Sequence, residues 1–237
     1  MTIPARDNLL LIAAREPVAG ETKTRLGATI GMERAARLYR AFLADLAMRF
    51  VDGDGYQFGW AVTSDCERFR AAIGELCPAR ANGEACYVQQ CGEDWGIRQT
   101  NLLRWGAEHG YMRTVLTASD SPQMACAEII HAFDLLADHD VVIGRVHDGG
   151  YYLIGVRGFH DVLTGVPMST ASAADALVAR AGAQGLRVGE VCGTFDVDIE
   201  ADLDLLIDLV RDRPEIAPAT SRALHELDLV GARNGKG

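Results

Sequence analysis

The sequence has few basic residues and no long apolar run. Lysine and arginine number 23 against 33 aspartate and glutamate residues, which gives the 237-residue chain a formal net charge of −10. Binding a nucleic-acid backbone needs a basic face, so this charge argues against nucleic acid as a partner, although a few local cations suffice for a nucleotide. No stretch approaches the ~20 apolar residues that span a bilayer, so we expect no membrane partner.

The sequence also lacks an export signal and paired cysteine motifs. Met1–Asp7 does not show the basic-then-apolar order of a signal peptide. The cysteines form no CxxC and no finger-like pairing with histidine, which argues against structural zinc. These features predict reduced thiols and a cytoplasmic protein. The six cysteines are Cys66, Cys77, Cys86, Cys91, Cys126 and Cys192.

Short apolar runs alternate with longer stretches of helical periodicity. Predicted strands cover Asn8–Ala14, Tyr56–Thr63, Cys86–Gln90, Thr114–Ala118, Asp140–Gly144, Tyr151–Val156 and Leu186–Cys192. Predicted helices cover Gly31–Phe50, Cys66–Leu76, Ile97–His109, Gln123–Ala137, Ala171–Ala183, Glu200–Arg211 and Thr220–Leu229. This order predicts a single α/β domain of three layers, α/β/α, with a mostly parallel sheet over residues 1–230. The tail Gly231–Gly237 has no apolar anchor and is predicted to be disordered.

The turn after the first strand carries two cations. It runs from Arg15 to Leu26 and holds Lys23 and Arg25 beside Gly20. Backbone N–H groups in such a turn, with cations next to them, suit a phosphate chain, although a solvated loop with ordinary surface charges would show the same letters. The turn is neither a Walker A loop nor a GxGxxG dinucleotide motif.

A single aspartate follows the buried strand Thr114–Ala118. Asp120 lies in Ser119-Asp120-Ser121-Pro122, where ligands of an open α/β sheet bind. Its carboxylate is the hard oxygen ligand that Mg²⁺ or Mn²⁺ prefers. The alternative is a cap for the following helix, but Ser121 before Pro122 is expected to supply that cap and to leave Asp120 free.

Two further aspartates follow the last strand. Asp196 and Asp198 should project to the same side of an extended segment. Two neighbouring carboxylates repel each other and need a cation or protons, so a metal is a reasonable partner. Capping of the helix that begins at Glu200 by Asp198 or Glu200 is the alternative interpretation.

A paired-glycine motif enters the strand Tyr151–Val156. Gly149 and Gly150 permit close approach of a ligand to the backbone, and a hairpin turn would have the same letters. His147 and Asp148 precede them.

In this order the four turns resemble a bacterial family of the GT-A superfamily whose members are described as glycosyltransferase-like or nucleotide-diphospho-sugar transferases. The superfamily also includes 2-phospholactate guanylyltransferases and molybdenum-cofactor nucleotidyltransferases. The matching pieces extend from Ala13 to Asp198. The departures from the family pattern are His147, Met168 and the segment Cys91–Gly96.

The resemblance implies a site with three parts. The nucleotide would be bound by Ala13, Arg15, Lys23, Arg25 and Ser119. Mg²⁺ or Mn²⁺ would be held by Asp120 and Asp198, and Asp120 and Asp148 are the implied catalytic residues. Gly149 and Gly150 would face the acceptor.

The sequence leaves three functions open. The first is a metal-dependent transferase that uses a nucleotide-sugar and a small-molecule acceptor. The second is a nucleotidyltransferase that attacks an NTP and releases pyrophosphate, which the Lys23–Arg25 turn and the single Asp120 favour. The third is a non-catalytic nucleotide-binding module, which has no need for Asp120 together with Asp198. A homodimer is one possible assembly.

Overall fold

The structure is a computed structural model that describes residues 7–78 and 84–230. The segment 231–237, for which disorder was predicted, lies outside these residues. The strands are β1 (Asn8–Ala14), β2 (Gln57–Val62), β3 (Cys86–Gln89), β4 (Arg113–Ala118), β5 (Val141–Val146), β6 (Tyr151–Arg157) and β7 (Val188–Thr194). The helices are α1 (Thr24–Ile30), α2 (Met32–Phe50), α3 (Cys66–Leu76), α4 (Trp95–Glu108), α5 (Cys126–Leu135), α6 (Ala173–Ala183), α7 (Glu200–Asp212) and α8 (Pro218–Glu226).

One seven-stranded sheet runs through the domain in the order β3-β2-β1-β4-β6-β5-β7. Only β6 is antiparallel to its neighbours β4 and β5, and every other described pair is parallel. β1 lies near the centre, and all seven of its residues are buried. A continuous apolar strand of this kind is typical of a sheet covered on both faces. The predicted single α/β domain with a mostly parallel sheet is therefore confirmed.

The two faces of β1 belong to two separate cores. Leu10 and Ile12 pack into a large cluster with residues of α2, α3, α5, α7 and α8. Leu9 and Leu11 pack into a second cluster with residues of α4 and α6. Because successive side chains of a strand point to opposite faces, one strand stabilises both layers of helices. No helix of the described residues is long and apolar enough to cross a membrane.

Helix boundaries depart from the sequence prediction in two places that affect the site. The short helix α1 was not predicted, and Gly31, whose φ is +96°, separates it from α2. Ser121 does not cap the helix after β4, because that helix begins at Cys126 and follows Ala125. The side chain of Ser121 instead donates hydrogen bonds to the carbonyl oxygen of Phe195 and to Asp196.

Candidate active site

A cleft of about 550 Å³ opens at the end of the sheet where the parallel strands finish. The antiparallel β6 begins at this same end, so its first residues line the cleft beside the last residues of β1 and β4. The cleft brings together nine of the ten residues that the resemblance assigned to the site. They are Ala13, Arg15, Lys23, Arg25, Ser119, Asp120, Asp148, Gly150 and Asp198. Gly149 does not line it.

Lys23 lies at the centre of the charged part of the cleft. It directly precedes α1 in a left-handed conformation with φ of 51°, which is uncommon for a residue with a side chain. Thr22 fixes the turn by donating a 2.6 Å hydrogen bond to the carbonyl oxygen of Glu16. The turn directs the Lys23 side chain inward, where only 4% of it is exposed.

The ammonium group of Lys23 bridges the two aspartates that the sequence predicted as metal ligands. Its Nζ lies 2.5 Å from Oδ1 of Asp120 and 2.8 Å from Oδ1 of Asp198. One nitrogen therefore contacts a carboxylate from the end of β4 and another from the segment after β7. The two carboxylates thus converge on the ammonium group of Lys23.

This contact shifts the pKa values of both partners in the directions expected for an ion pair. Burial alone lowers the pKa of Lys23, but the charges of Asp120 and Asp198 and their hydrogen bonds outweigh burial and raise it. Burial alone raises the pKa of Asp198, but the charge and hydrogen bond of Lys23 bring it below its ordinary value. At neutral pH Lys23 and Asp198 are therefore both charged.

Asp196 lies beside this cluster and behaves differently. Its burial, together with the charge of Asp120, raises the pKa of Asp196 to about 7. Ser121 donates a 2.6 Å hydrogen bond to its Oδ1. Asp202, rather than Asp198, accepts hydrogen bonds from the backbone at the start of α7. The capping alternative for Asp198 therefore fails, and its side chain is free to contact Lys23.

The two arginines of the first turn are more open to solvent. Arg25 is the second residue of α1, 71% of its side chain is exposed, and its Nη1 lies 3.9 Å from Oδ2 of Asp198. Arg15 follows β1 and is exposed at the edge of the cleft. Both guanidinium groups are therefore available to a ligand beside the buried Lys23.

The paired glycines form the turn of the hairpin between β5 and β6. The Gly149 N–H donates to the carbonyl oxygen of Val146, and the Val146 N–H donates to Gly150. Gly149 has φ of +90°, and a Cβ there would lie 1.9 Å from the carbonyl oxygen of Ala171. Its missing side chain thus allows the hairpin to approach the loop before α6. Asp148 is exposed and accepts a 3.0 Å hydrogen bond from the Gly150 N–H.

Sequence reasoning missed the buried polar side chains that join these loops. Tyr39 of α2 accepts a 3.2 Å hydrogen bond from the Arg15 N–H and is hydrogen-bonded to Ser119 Oγ at 2.7 Å. Burial and the charge of Asp120 raise the pKa of Tyr39 to about 12. On α4, Gln99 donates a 2.9 Å hydrogen bond to the Tyr151 hydroxyl. Tyr39 and Gln99 occupy buried positions of amphipathic helices, and the apolar pattern that predicts these helices does not indicate the hydrogen bonds of the two side chains.

The carboxylates suit a metal that phosphates help to bind. Within residues 7–78 and 84–230, no group of three or more His, Cys, Asp or Glu side chains is arranged to hold a metal ion. The carboxylates of Asp120 and Asp198 nevertheless converge on one cation, which is the ammonium group of Lys23. Mg²⁺ is commonly bound by one or two carboxylates together with substrate phosphates, so the pair fits such a metal.

Comparisons with known proteins bear on the family and the fold. Residues 61–170 match a family described as an uncharacterized protein conserved in bacteria (DUF2064). That segment contains Asp120 and Asp148. A crystal structure from Desulfovibrio desulfuricans G20, provisionally described as a nucleotide-diphospho-sugar transferase, is 27% identical, with a TM-score of 0.84 over 94% of this chain and 96% of that one. No curated protein matches the sequence significantly.

Two more distant structures share the fold. A 4-diphosphocytidyl-2C-methyl-D-erythritol synthase from Anaerococcus prevotii DSM 20548 is 10% identical, with a TM-score of 0.56 over 86% of this chain and 96% of that one. A cytidylyltransferase from Leptospira borgpetersenii is 12% identical, with a TM-score of 0.50 over 89% and 96%. The expected resemblance is therefore confirmed, and the chain has the nucleotide-diphospho-sugar transferase fold.

Proposed function

We propose that this protein is a metal-dependent transferase whose donor is a nucleotide carrying a pyrophosphate, with a nucleotide-sugar as the first candidate. The observation that carries the proposal is the placement of Lys23 Nζ between Asp120 and Asp198 at the strand ends. The 27% identical relative provisionally described as a nucleotide-diphospho-sugar transferase, which matches nearly the whole chain, supports the same class.

The charged end of the cleft is suited to a pyrophosphate. Lys23 and Arg25 would contact its oxygens, and Arg15 would contact the nucleotide from the end of β1. Cations that are already in place stabilise charge developing on a leaving oxygen without a reorganisation cost. A divalent cation that took the place of the Lys23 ammonium between Asp120 and Asp198 would supply further charge neutralisation at the same phosphates. Ala13 and Ser119, at the ends of β1 and β4, would contact the nucleotide through the backbone and the hydroxyl.

The acceptor would lie beside the hairpin turn. Asp148 is exposed in the cleft and would accept the proton of the acceptor hydroxyl as it attacks. Gly150 would allow the acceptor to approach the backbone, and Gly149 would act indirectly by keeping the turn against Ala171. Attack of the acceptor hydroxyl on the anomeric carbon of a nucleotide-sugar would transfer the sugar to the acceptor and release a nucleoside diphosphate.

Nucleotidyl transfer is the second candidate, and a specific observation favours it. Lys23, Arg25 and Arg15 all come from one turn, which could hold the longer phosphate chain of an NTP. In that reaction the acceptor would attack the α-phosphate and pyrophosphate would leave. The two reactions need the same cations and carboxylates, so they are separated by the donor that binds and by the product.

A thermal-shift panel of NTPs and nucleotide-sugars, each with and without Mg²⁺ or Mn²⁺, tests the proposal. A ligand present at a hundredfold excess over its Kd stabilises the folded state by about 2.7 kcal/mol. We expect a metal-dependent shift with one donor class, and mass spectrometry of products to distinguish sugar transfer from nucleotidyl transfer. A donor that binds without any turnover would indicate the non-catalytic module.

Two substitutions make this test specific. Asp120→Asn removes a charge from the centre of the cleft and should abolish the metal-dependent part of the shift. Asp134→Asn, at an exposed position of α5 away from the cleft, should leave it intact. If no nucleotide stabilises the unmodified protein with either metal, the proposed function is wrong.

A further inference from the structure

The basic side chains of the cleft all come from one segment of the chain. Of the described residues that line it, Arg15, Lys23 and Arg25 are the only ones with a cationic side chain. The same lining carries five carboxylates, which are Glu21, Asp120, Asp148, Asp196 and Asp198. The cleft thus has one group of cationic side chains, and its lining carries more acidic side chains than basic ones.

The rest of the lining is neutral and partly aromatic. Trp95 and Tyr151 present rings, and Met168 presents a thioether beside them. Gln99 is buried under this surface, donating to the Tyr151 hydroxyl at 2.9 Å and approaching Met168 Sδ at 3.9 Å. Thr170 adds a hydroxyl. Aromatic faces with hydroxyl and amide groups suit ligands that combine an apolar face with hydroxyls.

The arginine on the strand before the hairpin turn has its partners outside the cleft. Arg145 is on β5, just before the hairpin turn, but its guanidinium contacts Asp175 at 2.8 Å and Glu190 at 3.2 Å. It is not part of the cleft lining. The exposed Asp148 therefore faces the cleft without a nearby cation from its own hairpin.

We propose that the second substrate is an uncharged hydroxyl compound with an apolar face, such as a neutral sugar or alcohol, and not a phosphorylated or carboxylated one. This inference rests on the proposed function, in which the donor pyrophosphate uses the three cations. A second anion would meet Asp148 with no remaining cation to offset the repulsion. Such a mismatch of charge selects against the wrong substrate, as favourable contacts select for the right one.

Matched compounds that differ only in charge test the inference. The protein, saturated with Mg²⁺ and the nucleoside diphosphate that stabilises it most, is titrated with glucose, glucose 6-phosphate and glucuronate, and with glycerol and glycerol 3-phosphate. Binding is followed by saturation-transfer difference NMR. We expect the neutral member of each set to bind at least tenfold more tightly. Equal or tighter binding of a charged member, or binding of no neutral member, would overturn the inference.

A charge reversal at the hairpin gives a second readout. Asp148→Lys places a cation at an exposed position, so the variant should fold normally, and its preference should move at least tenfold toward the phosphorylated compounds. Asp134→Lys on α5 makes the same charge change outside the cleft and should keep the original preference. An unchanged preference in Asp148→Lys would overturn the inference. Loss of the nucleotide-induced thermal shift in the unmodified protein would instead count against the proposed function itself.

Discussion

Lys23 connects three loops that are far apart in the sequence. Its ammonium group joins the turn after β1 to Asp120 after β4 and to Asp198 after β7. The Val197 N–H also donates to the Asp120 carbonyl oxygen at 3.0 Å, so the two carboxylate-bearing segments contact each other directly. A lysine in this position keeps carboxylates together that would otherwise repel each other.

Lys23→Met should therefore destabilise the metal-free protein and increase its response to metal. Losing the ammonium leaves the clustered carboxylates without their counter-ion, at a cost of about 1–3 kcal/mol; a fully buried pair would cost more, but Asp120 and Asp198 are 35% and 45% exposed. Because these carboxylates would then accept another cation, Mg²⁺ or Mn²⁺ without nucleotide should raise the Tm of the variant more than that of the unmodified protein. Urea unfolding and Mn²⁺ binding by electron paramagnetic resonance measure the two effects.

Arg25→Met is the matched control for this prediction. The Arg25 side chain is largely exposed and lies 3.9 Å from Asp198, and an exposed pair of this kind contributes at most about 1 kcal/mol. We expect little change in stability or in metal binding. If Lys23→Met binds Mn²⁺ no better than the unmodified protein, Lys23 does not compete with a metal for these carboxylates.

At the residue scale, the sequence predicted the charged groups but not their mutual contacts. Asp120 and Asp198 were predicted as metal ligands because each follows a strand, and they do converge. The sequence assigned Lys23 to phosphates, since nothing in its spacing indicated a buried side chain. The left-handed backbone at Lys23 accompanies the inward direction of its side chain, and the sequence pattern does not indicate it. Whether these residues bind nucleotide and metal remains a prediction.

The next scale is that of helices and strands, where α2 holds two strand ends together. Tyr39 is fully within this helix, and its hydroxyl contacts the Arg15 N–H after β1 and Ser119 Oγ after β4. A single side chain of α2 thus contacts the residues that follow two neighbouring strands of the sheet. The geometry of the nucleotide end of the cleft depends on this contact.

Tyr39→Phe should weaken both the fold and nucleotide binding. Removing the hydroxyl leaves the Arg15 N–H and Ser119 Oγ short of a partner, which costs about 1–2 kcal/mol in the free energy of unfolding. Tyr56→Phe removes a hydroxyl whose 3.3 Å hydrogen bond to the Phe50 carbonyl oxygen lies outside the cleft. We expect only Tyr39→Phe to raise the Kd for the stabilising nucleotide in calorimetry. Equal Kd values for the two variants would contradict this role.

The elements themselves were largely predictable from apolar patterning. All seven strands were predicted. β1 is the clearest case, because a strand covered on both faces gives a continuous apolar run. The seven-residue α1 was missed because it is short and directly precedes α2, and only the positive φ of Gly31 separates the two. The cap assigned to Ser121 was wrong because its hydroxyl contacts Phe195 and Asp196, which are distant in sequence.

At the scale of the whole molecule, one sheet separates two apolar cores that share its strands. Leu11 belongs to the cluster packed by α4 and α6, and Ile12 to the cluster packed by the helices of the other face. Both side chains are fully buried. Because these neighbours in β1 anchor opposite layers, neither layer should unfold without the other. The cleft depends on this, since it takes residues from the ends of strands and from helices on both faces.

Leu11→Ala and Ile12→Ala should therefore each lower the same single unfolding transition. Each creates a cavity in a different core and should cost about 2–5 kcal/mol. Leu205→Ala, at a half-exposed position of α7, should cost less than about 1 kcal/mol. Far-UV circular dichroism and tryptophan fluorescence in urea can follow both cores, because Trp60 packs in the cluster of Ile12 and Trp105 against that of Leu11. An early transition of Leu11→Ala in which only one face of the sheet unfolded would contradict this prediction. The two helical layers would then be independent folding units, and the cleft, which takes residues from both, would lose its structure in two steps.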